Sequence, residues 1–244
     1  MILKMADDAL ILGHRNSEWT GLGPILEEDI AFSSMAQDKI GHALALYDIL
    51  HDQFEVAAPD EFVFRREEKD FRCCHFAELP IGEYDFSLVR HFLFDHAEAI
   101  RYELLSDSSY EPLAHLSRKI KGELKYHVLH ANSWIMRLGR GTEESNSRVQ
   151  SALNFALPYA LGIFEENEKE NELIAGNIFV GEKQLHQYWE ERIRQQLEKA
   201  ALEFPEVEEK DIHYGGRKGH HTEYLHQLLQ EMSFVVRLED KAEW

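Results

Sequence analysis

The sequence predicts an all-α protein: a four-helix bundle with additional helices around it. Two observations carry this. Apolar residues recur at three- and four-residue intervals over long segments, while strand-like alternation is scarce. Proline, glycine and polar clusters punctuate those segments where helices should start and stop. No repeat, heptad seam or linker composition divides the chain, so residues 1–244 read as one domain.

The elements follow in order. A first helix is expected from about Lys4 to Arg15, closed by the loop TGLGP. Pro24 suits the first turn of a long second helix reaching about Phe54, because its fixed φ is helical and its missing N–H is not needed there. The segment VAAPDE reads as a mobile connection and Arg66 to Cys73 as a short charged helix. A third long helix runs from about Tyr84 to Ser106. A fourth opens at Glu111-Pro112 and ends at Leu138, with Gly139 as its stop. A fifth spans about Glu144 to Phe164. The run EENEKENE, Glu165 to Glu172, reads as a solvated loop. A sixth covers about Glu182 to Leu202, and the basic, glycine-rich loop YGGRKGHH leads to a last amphipathic helix from Thr222 to about Leu238.

Composition narrows the function. The chain of 244 residues is 44% hydrophobic and 29% charged, which suits a globular protein with a large core. Its formal net charge of -19 argues against nucleic acid and anionic membranes as partners. No stretch is apolar enough to span a bilayer, and MILKMADDAL, with two early acids, does not read as a signal peptide. Cys73 and Cys74 are adjacent: poor geometry for a mutual disulfide, and too few thiols for a zinc cluster. A reducing cytoplasm fits.

Polar intruders on the apolar stripes are the candidate site. In MAQDKIGHAL, Lys39 and His42 share a face with Phe32, Met35, Ala36, Ala43 and Leu46. Asp95 interrupts the stripe of the third long helix, and His127 that of the fourth. Glu18, in NSEW, lies near one end of the bundle. Any one of these is readily a satisfied core residue. Together, carboxylates and histidines from several helices have the layout of a di-iron carboxylate bundle. That layout needs Glu-x-x-His on two helices, yet Lys39 and Leu124 stand three residues before His42 and His127. Lys39 is therefore expected to supply internally the positive charge a metal pair would bring, pairing with Glu18 and Asp95.

Three stretches carry a family resemblance: LILGHRNSEWTGLGPILEEDIAFSSMAQDKIGHAL, LKYHVLHANSWIMRLGRGT from Leu124 to Thr142, and GGRKGHHTEYLHQLLQEM from Gly215 to Met232. They resemble the non-catalytic C subunit of bacterial phenylacetyl-CoA epoxidase, over nearly the whole chain from Asp8 to Trp244. The resemblance implies a ferritin-like fold and a structural subunit that docks on a paralogous, di-iron catalytic A subunit. It implies a complex that epoxidises the ring of phenylacetyl-CoA with O₂, using electrons from a separate reductase. The implied iron lies in the catalytic partner, with no cofactor in this chain. Implied partners are the A subunit, a homodimer or larger hetero-oligomer, and an acyl-CoA met only indirectly. In the catalytic partner the pattern resembles Asp-Glu-x-Gly-His where this chain has Asp38-Lys39-Ile40-Gly41-His42, and Glu-x-Phe-His where it has Leu124-Lys125-Tyr126-His127. By the resemblance Glu18 and Asp95 match the other two carboxylate positions, so Glu18, Lys39, His42, Asp95, Leu124 and His127 mark a degenerate metal site.

Two further expectations stand. A stand-alone ferritin-like metal oxidase using Glu18, His42, Asp95 and His127 is the alternative, with Lys39 arguing against it; an iron-storing bundle lacks an acidic entry route. In the loop before the last helix, Arg217, Lys218, His220, His221 and the glycine N–H groups are either a binding site for an anion or partner carboxylate, or a helix-entry loop with Thr222 as N-cap.

Overall fold

The computed structural model describes residues 1–238. Among these there are helices and connecting turns and no strand. The bundle is built from α1 (Ile2–Ser17), α2 (Leu26–Phe54), α5 (Tyr84–Leu105) and α6 (Glu111–Gly139). Between α2 and α5 lie the short α3 (Pro59–Phe64) and α4 (His75–Glu78). After α6 come α7 (Glu143–Ala160), α8 (Glu170–Ala175), α9 (Glu182–Lys199), α10 (Glu223–Met232) and α11 (Phe234–Leu238).

Side-chain pairs fix the directions. Tyr47 meets Asp7 and Ser33 meets Thr20, so α1 and the loop after it run antiparallel to α2. Arg118 meets the Ser106 carbonyl and His130 meets His91, so α5 and α6 are antiparallel. Lys39 reaches Asp95, and Glu28 reaches Tyr84, so α2 and α5 run the same way. Two antiparallel hairpins joined by one long crossover are consistent with a ferritin-like bundle. Helices α7 and α9 pack on α5 and enlarge the core, where Trp189 of α9 is fully buried and donates Nε1–H to the Leu93 carbonyl at 2.9 Å.

The long helices fall close to their expected spans. The crossover does not. The expected helix from Arg66 to Cys73 is absent, apart from one 3₁₀ turn at Glu68–Asp70. The expected mobile connection instead forms α3, with Pro59 in its first turn. The reason is tertiary. Buried Asp7 of α1 binds Arg66 Nη2 at 2.7 Å and the backbone N–H of Arg72 at 2.7 Å. Its neighbour Asp8 takes the N–H of Cys74 at 2.9 Å. Two carboxylates thus hold this segment in extended form, and Phe71, Cys73 and Cys74 fill the core.

The acidic run is likewise not all loop. It passes into α8, where the Glu170 carboxylate accepts the N–H of Glu182 and so caps α9. The last expected helix is two, interrupted at Ser233, whose hydroxyl bonds back to the Leu229 carbonyl at 2.6 Å. No described helix is long and apolar enough to cross a membrane.

Candidate functional site

Lys39 is the centre of the bundle's polar interior. Its side chain is 1% exposed. The ammonium donates to Asp95 Oδ1 at 2.5 Å and to Glu98 Oε2, both on α5. Burial alone would lower the Lys39 pKa, but the two carboxylates outweigh it and hold the group above its ordinary value. Asp95 feels burial in the opposite sense and is nevertheless held well below the carboxylate range by Lys39 and His91. Glu98 keeps the burial penalty: burial and the nearby Asp95 push it up to about 7, against the pull of Lys39.

Histidines surround this cluster. His91, one turn before Asp95, pairs with Asp95 Oδ2. His42 donates Nε2–H to Glu123 at 2.6 Å, and His127 donates Nε2–H to Asp38 at 2.9 Å. Their rings lie 6.5 Å apart between centroids. Burial lowers the pKa of both, that of His42 to about 4 with Lys39 adding to the effect. Each turns a buried Nδ1 inward with no hydrogen-bond partner, and the Tyr102 hydroxyl is also unpartnered. Further along, Glu28 of α2 accepts from Tyr84 Oη at 2.5 Å, Trp134 Nε1 at 2.7 Å and His130 Nε2 at 3.0 Å. Through the His130–His91 contact at 3.3 Å the polar chain runs continuously from Glu28 to Lys39.

The expected site is partly reassembled. Lys39, His42, Asp95 and His127 do come together in the interior, and Leu124, one turn before His127, is fully buried. Glu18 does not join them. It lies at the C-terminal end of α1, its side chain 35% exposed, and pairs with Arg15 at 2.7 Å. The second acid at Lys39 is Glu98, which sequence reasoning missed. Its signal was its position three residues after Asp95, on the same helix face. His91, four residues before Asp95, carried the same signal.

The basic loop is corrected too. Arg217 is not open to an anion: it is buried, pairs with Asp8 at 2.8 Å and donates to the carbonyls of Arg72 at 2.8 Å and Ile163 at 3.1 Å. Lys218 is exposed beside Glu165, and His220 lends its backbone carbonyl to His75. His221 is buried against Glu78 at 2.7 Å. The glycine-rich backbone does hold a carboxylate, but the protein's own: Glu165 accepts the N–H of Gly215 at 2.8 Å. Thr222 precedes α10, yet its hydroxyl donates to Glu78 rather than capping the helix. This segment is an internal clamp between the C-terminal region, α1 and the crossover.

The donor set does not fit a metal pair. An ammonium stands where a bridging carboxylate would have to be, and it is bonded to the carboxylates a cation would use. The second such position is the apolar Leu124. What the described residues show is an all-α bundle, consistent with a ferritin-like plan, with the Lys39 ammonium between two carboxylates at its centre.

Known proteins share this plan of sequence. The chain is 29% identical over 242 residues to the C subunit of 1,2-phenylacetyl-CoA epoxidase from Escherichia coli (strain K12), a match covering 99% of this chain and 97% of that protein. The family described as phenylacetic acid catabolic protein matches residues 1–244, end to end. The match runs the length of the chain, and the chain belongs to the phenylacetic acid catabolic protein family.

Proposed function

We propose that this chain is a non-catalytic, C-type subunit of a multicomponent monooxygenase that epoxidises the ring of phenylacetyl-CoA, and that it docks on and stabilises a di-iron catalytic subunit. The observation that carries the reading is the Lys39 ammonium bonded to Asp95 and Glu98 in the bundle centre. It removes the need for metal and with it the means of activating O₂, which leaves assembly as the chain's contribution. The full-length similarity to the C subunit of an epoxidase supports the same reading. On this reading the catalytic iron lies in the partner, and an acyl-CoA meets this chain only through that partner.

An apolar surface suits the docking role. On the solvent side of α2 and its neighbour α6, Leu26, Ile30 and Leu44, and Tyr126 and Leu129, are exposed, Ile30 by 61% and Tyr126 by 74%. Large exposed apolar side chains at helical spacing, on each of two neighbouring helices of an acidic protein, suit a binding surface. The test is co-expression with the catalytic subunit and affinity capture on this chain, comparing wild type with Ile30→Glu/Leu129→Glu. Capture by wild type and loss in the variant, with helical circular dichroism unchanged, is the expected result. Failure of the wild-type chain to capture the catalytic subunit would sink the reading; equal capture by the variant would remove this face from it.

A second reading has one observation in its favour. His42 and His127 each donate Nε2–H to a carboxylate and turn a bare Nδ1 inward, as metal-bound histidines do. On that reading Asp95 and the two imidazoles hold one metal ion in an oxidase. About one iron per chain, lost in His127→Ala, would establish it; under about a tenth would exclude it.

A further inference from the structure

We infer that the protein carries a divalent transition-metal site, of zinc type, formed by Cys73, Glu78 and His221 at the junction of the crossover and the C-terminal clamp. The site lies outside the bundle's polar centre and stands independently of the docking role.

Three separate segments bring it together. Cys73 lies in the extended stretch held by Asp7 and Asp8, Glu78 ends α4, and His221 follows the glycine-rich loop. All three side chains are buried, those of Glu78 and His221 completely. One donor atom from each lies within 4.8 Å of the other two. The Cys73 sulfur is 3.7 Å from Glu78 Oε1 and 4.0 Å from His221 Nδ1, and these last two are 2.7 Å apart. A tetrahedral zinc with bonds of about 2.0–2.3 Å separates its donors by about 3.4–3.6 Å. The two sulfur separations match that to within about half an ångström, and the third requires Glu78 and His221 to part slightly.

The surroundings orient these atoms as a metal requires. His221 Nε2 donates to the Phe71 carbonyl at 3.1 Å, which leaves Nδ1 as the ring nitrogen facing the thiol and the carboxylate. The second oxygen of Glu78 is held at 2.7 Å by both the N–H and the hydroxyl of Thr222, so Oε1 is presented inward. Asp7 and Asp8 also lie close to Cys73, each already paired, with Arg66 and with Arg217, so the uncompensated donors are those of the site itself. Burial and those carboxylates push the Cys73 thiol up, and a bound dication reverses that by taking the thiolate. Sulfur, imidazole and one carboxylate are the donors zinc favours, with one position left for an exogenous ligand. The ion would tie the crossover to the C-terminal segment.

The test is elemental analysis of the full chain purified without chelator from zinc-supplemented cells, with Cys73→Ser, Cys73→Ala and His127→Ala alongside. Cobalt(II) is then titrated into the metal-stripped wild type. About one zinc per chain, lost in both Cys73 variants and kept in His127→Ala, is expected. An intense thiolate-to-cobalt absorption in the wild type supports the site even if both variants fail to fold. Under about a tenth of a metal per chain with no such absorption overturns it, leaving a His221–Glu78 contact that serves the fold alone. Metal that survives loss of Cys73 but not of His127 also overturns it.

Discussion

At the scale of single residues, Lys39 shows how a core can hold a charge. Its ammonium is buried, and two carboxylates one helix away supply the counter-charge. Removing one member of such a group leaves the others uncompensated, which typically costs about 3–5 kcal/mol. Lys39→Ala is therefore expected to lower the free energy of unfolding in urea by that much; an unfolding curve like that of wild type would show that the cluster does not hold the bundle. Glu98 adds a pH signature. Its folded pKa, about 7, lies above the ordinary 4.5, so the folded state binds its proton more tightly. The stability this contributes is complete below about 4.5 and lost as pH rises through about 7. Glu98→Gln removes the dependence, so the variant should gain on wild type between about pH 5 and 8 by on the order of 1–3 kcal/mol. An unchanged difference across that range would mean Glu98 titrates normally. Sequence reading found Lys39, His42, Asp95 and His127 because each interrupts an apolar stripe. It missed Glu98 because an acid three residues after Asp95 is equally at home on a solvated face. It misplaced Glu18 because a helix end says nothing of which way its last side chain turns.

At the scale of elements, the long helices were legible and the connections were not. A periodic apolar face persists over many residues, and Pro24, Gly139 and the Glu111-Pro112 pair mark its ends within a turn or two. The stretch from 55 to 83 has no such period. Its path is set by Asp7 and Asp8, some sixty residues distant, through bonds to Arg66, Arg72 and Cys74. The C-terminal loop is shaped the same way. Gly216 lies so close to the crossover that a Cβ there would sit 2.2 Å from the Cys73 carbonyl oxygen. Gly216→Ala must push the loop off its seat, at a cost on the order of 1–3 kcal/mol. Thermal melting and proteolysis of the C-terminal segment would read this; a variant as stable and as protected as wild type would deny the close seating.

At the scale of the whole molecule, acid should loosen the fold before the carboxylates are exhausted. His42 and His96 are lowered by burial to about 4, and His127 is lowered too. A depressed base contributes stability that is full above its unfolded value near 6.5 and is lost as pH falls through its folded value. These histidines act against the opposing contribution of Glu98, so net stability should fall from about pH 6.5 to about pH 4. Below that, Asp95 and Glu182 lose their pairs as well. Chemical denaturation at half-unit pH steps should show the decline, made shallower by about one proton's slope in His96→Asn. A flat profile would mean these rings already carry protons in the folded state.

The parallel run of α2 and α5 governs the order in which the chain comes together. Each hairpin joins neighbours in sequence, so its contacts close short loops and form quickly. Lys39 and its carboxylates sit on different hairpins, 56 and 59 residues apart. Until the hairpins dock, Lys39 lacks both its carboxylates, and Asp95 has only His91 of its own helix. The late barrier in folding is then the meeting of two preformed halves around an ion pair. In stopped-flow refolding, substitutions within the α1–α2 hairpin should mainly alter the unfolding rate if docking precedes their consolidation, and the folding rate if the hairpin forms first. The topology favours the second outcome.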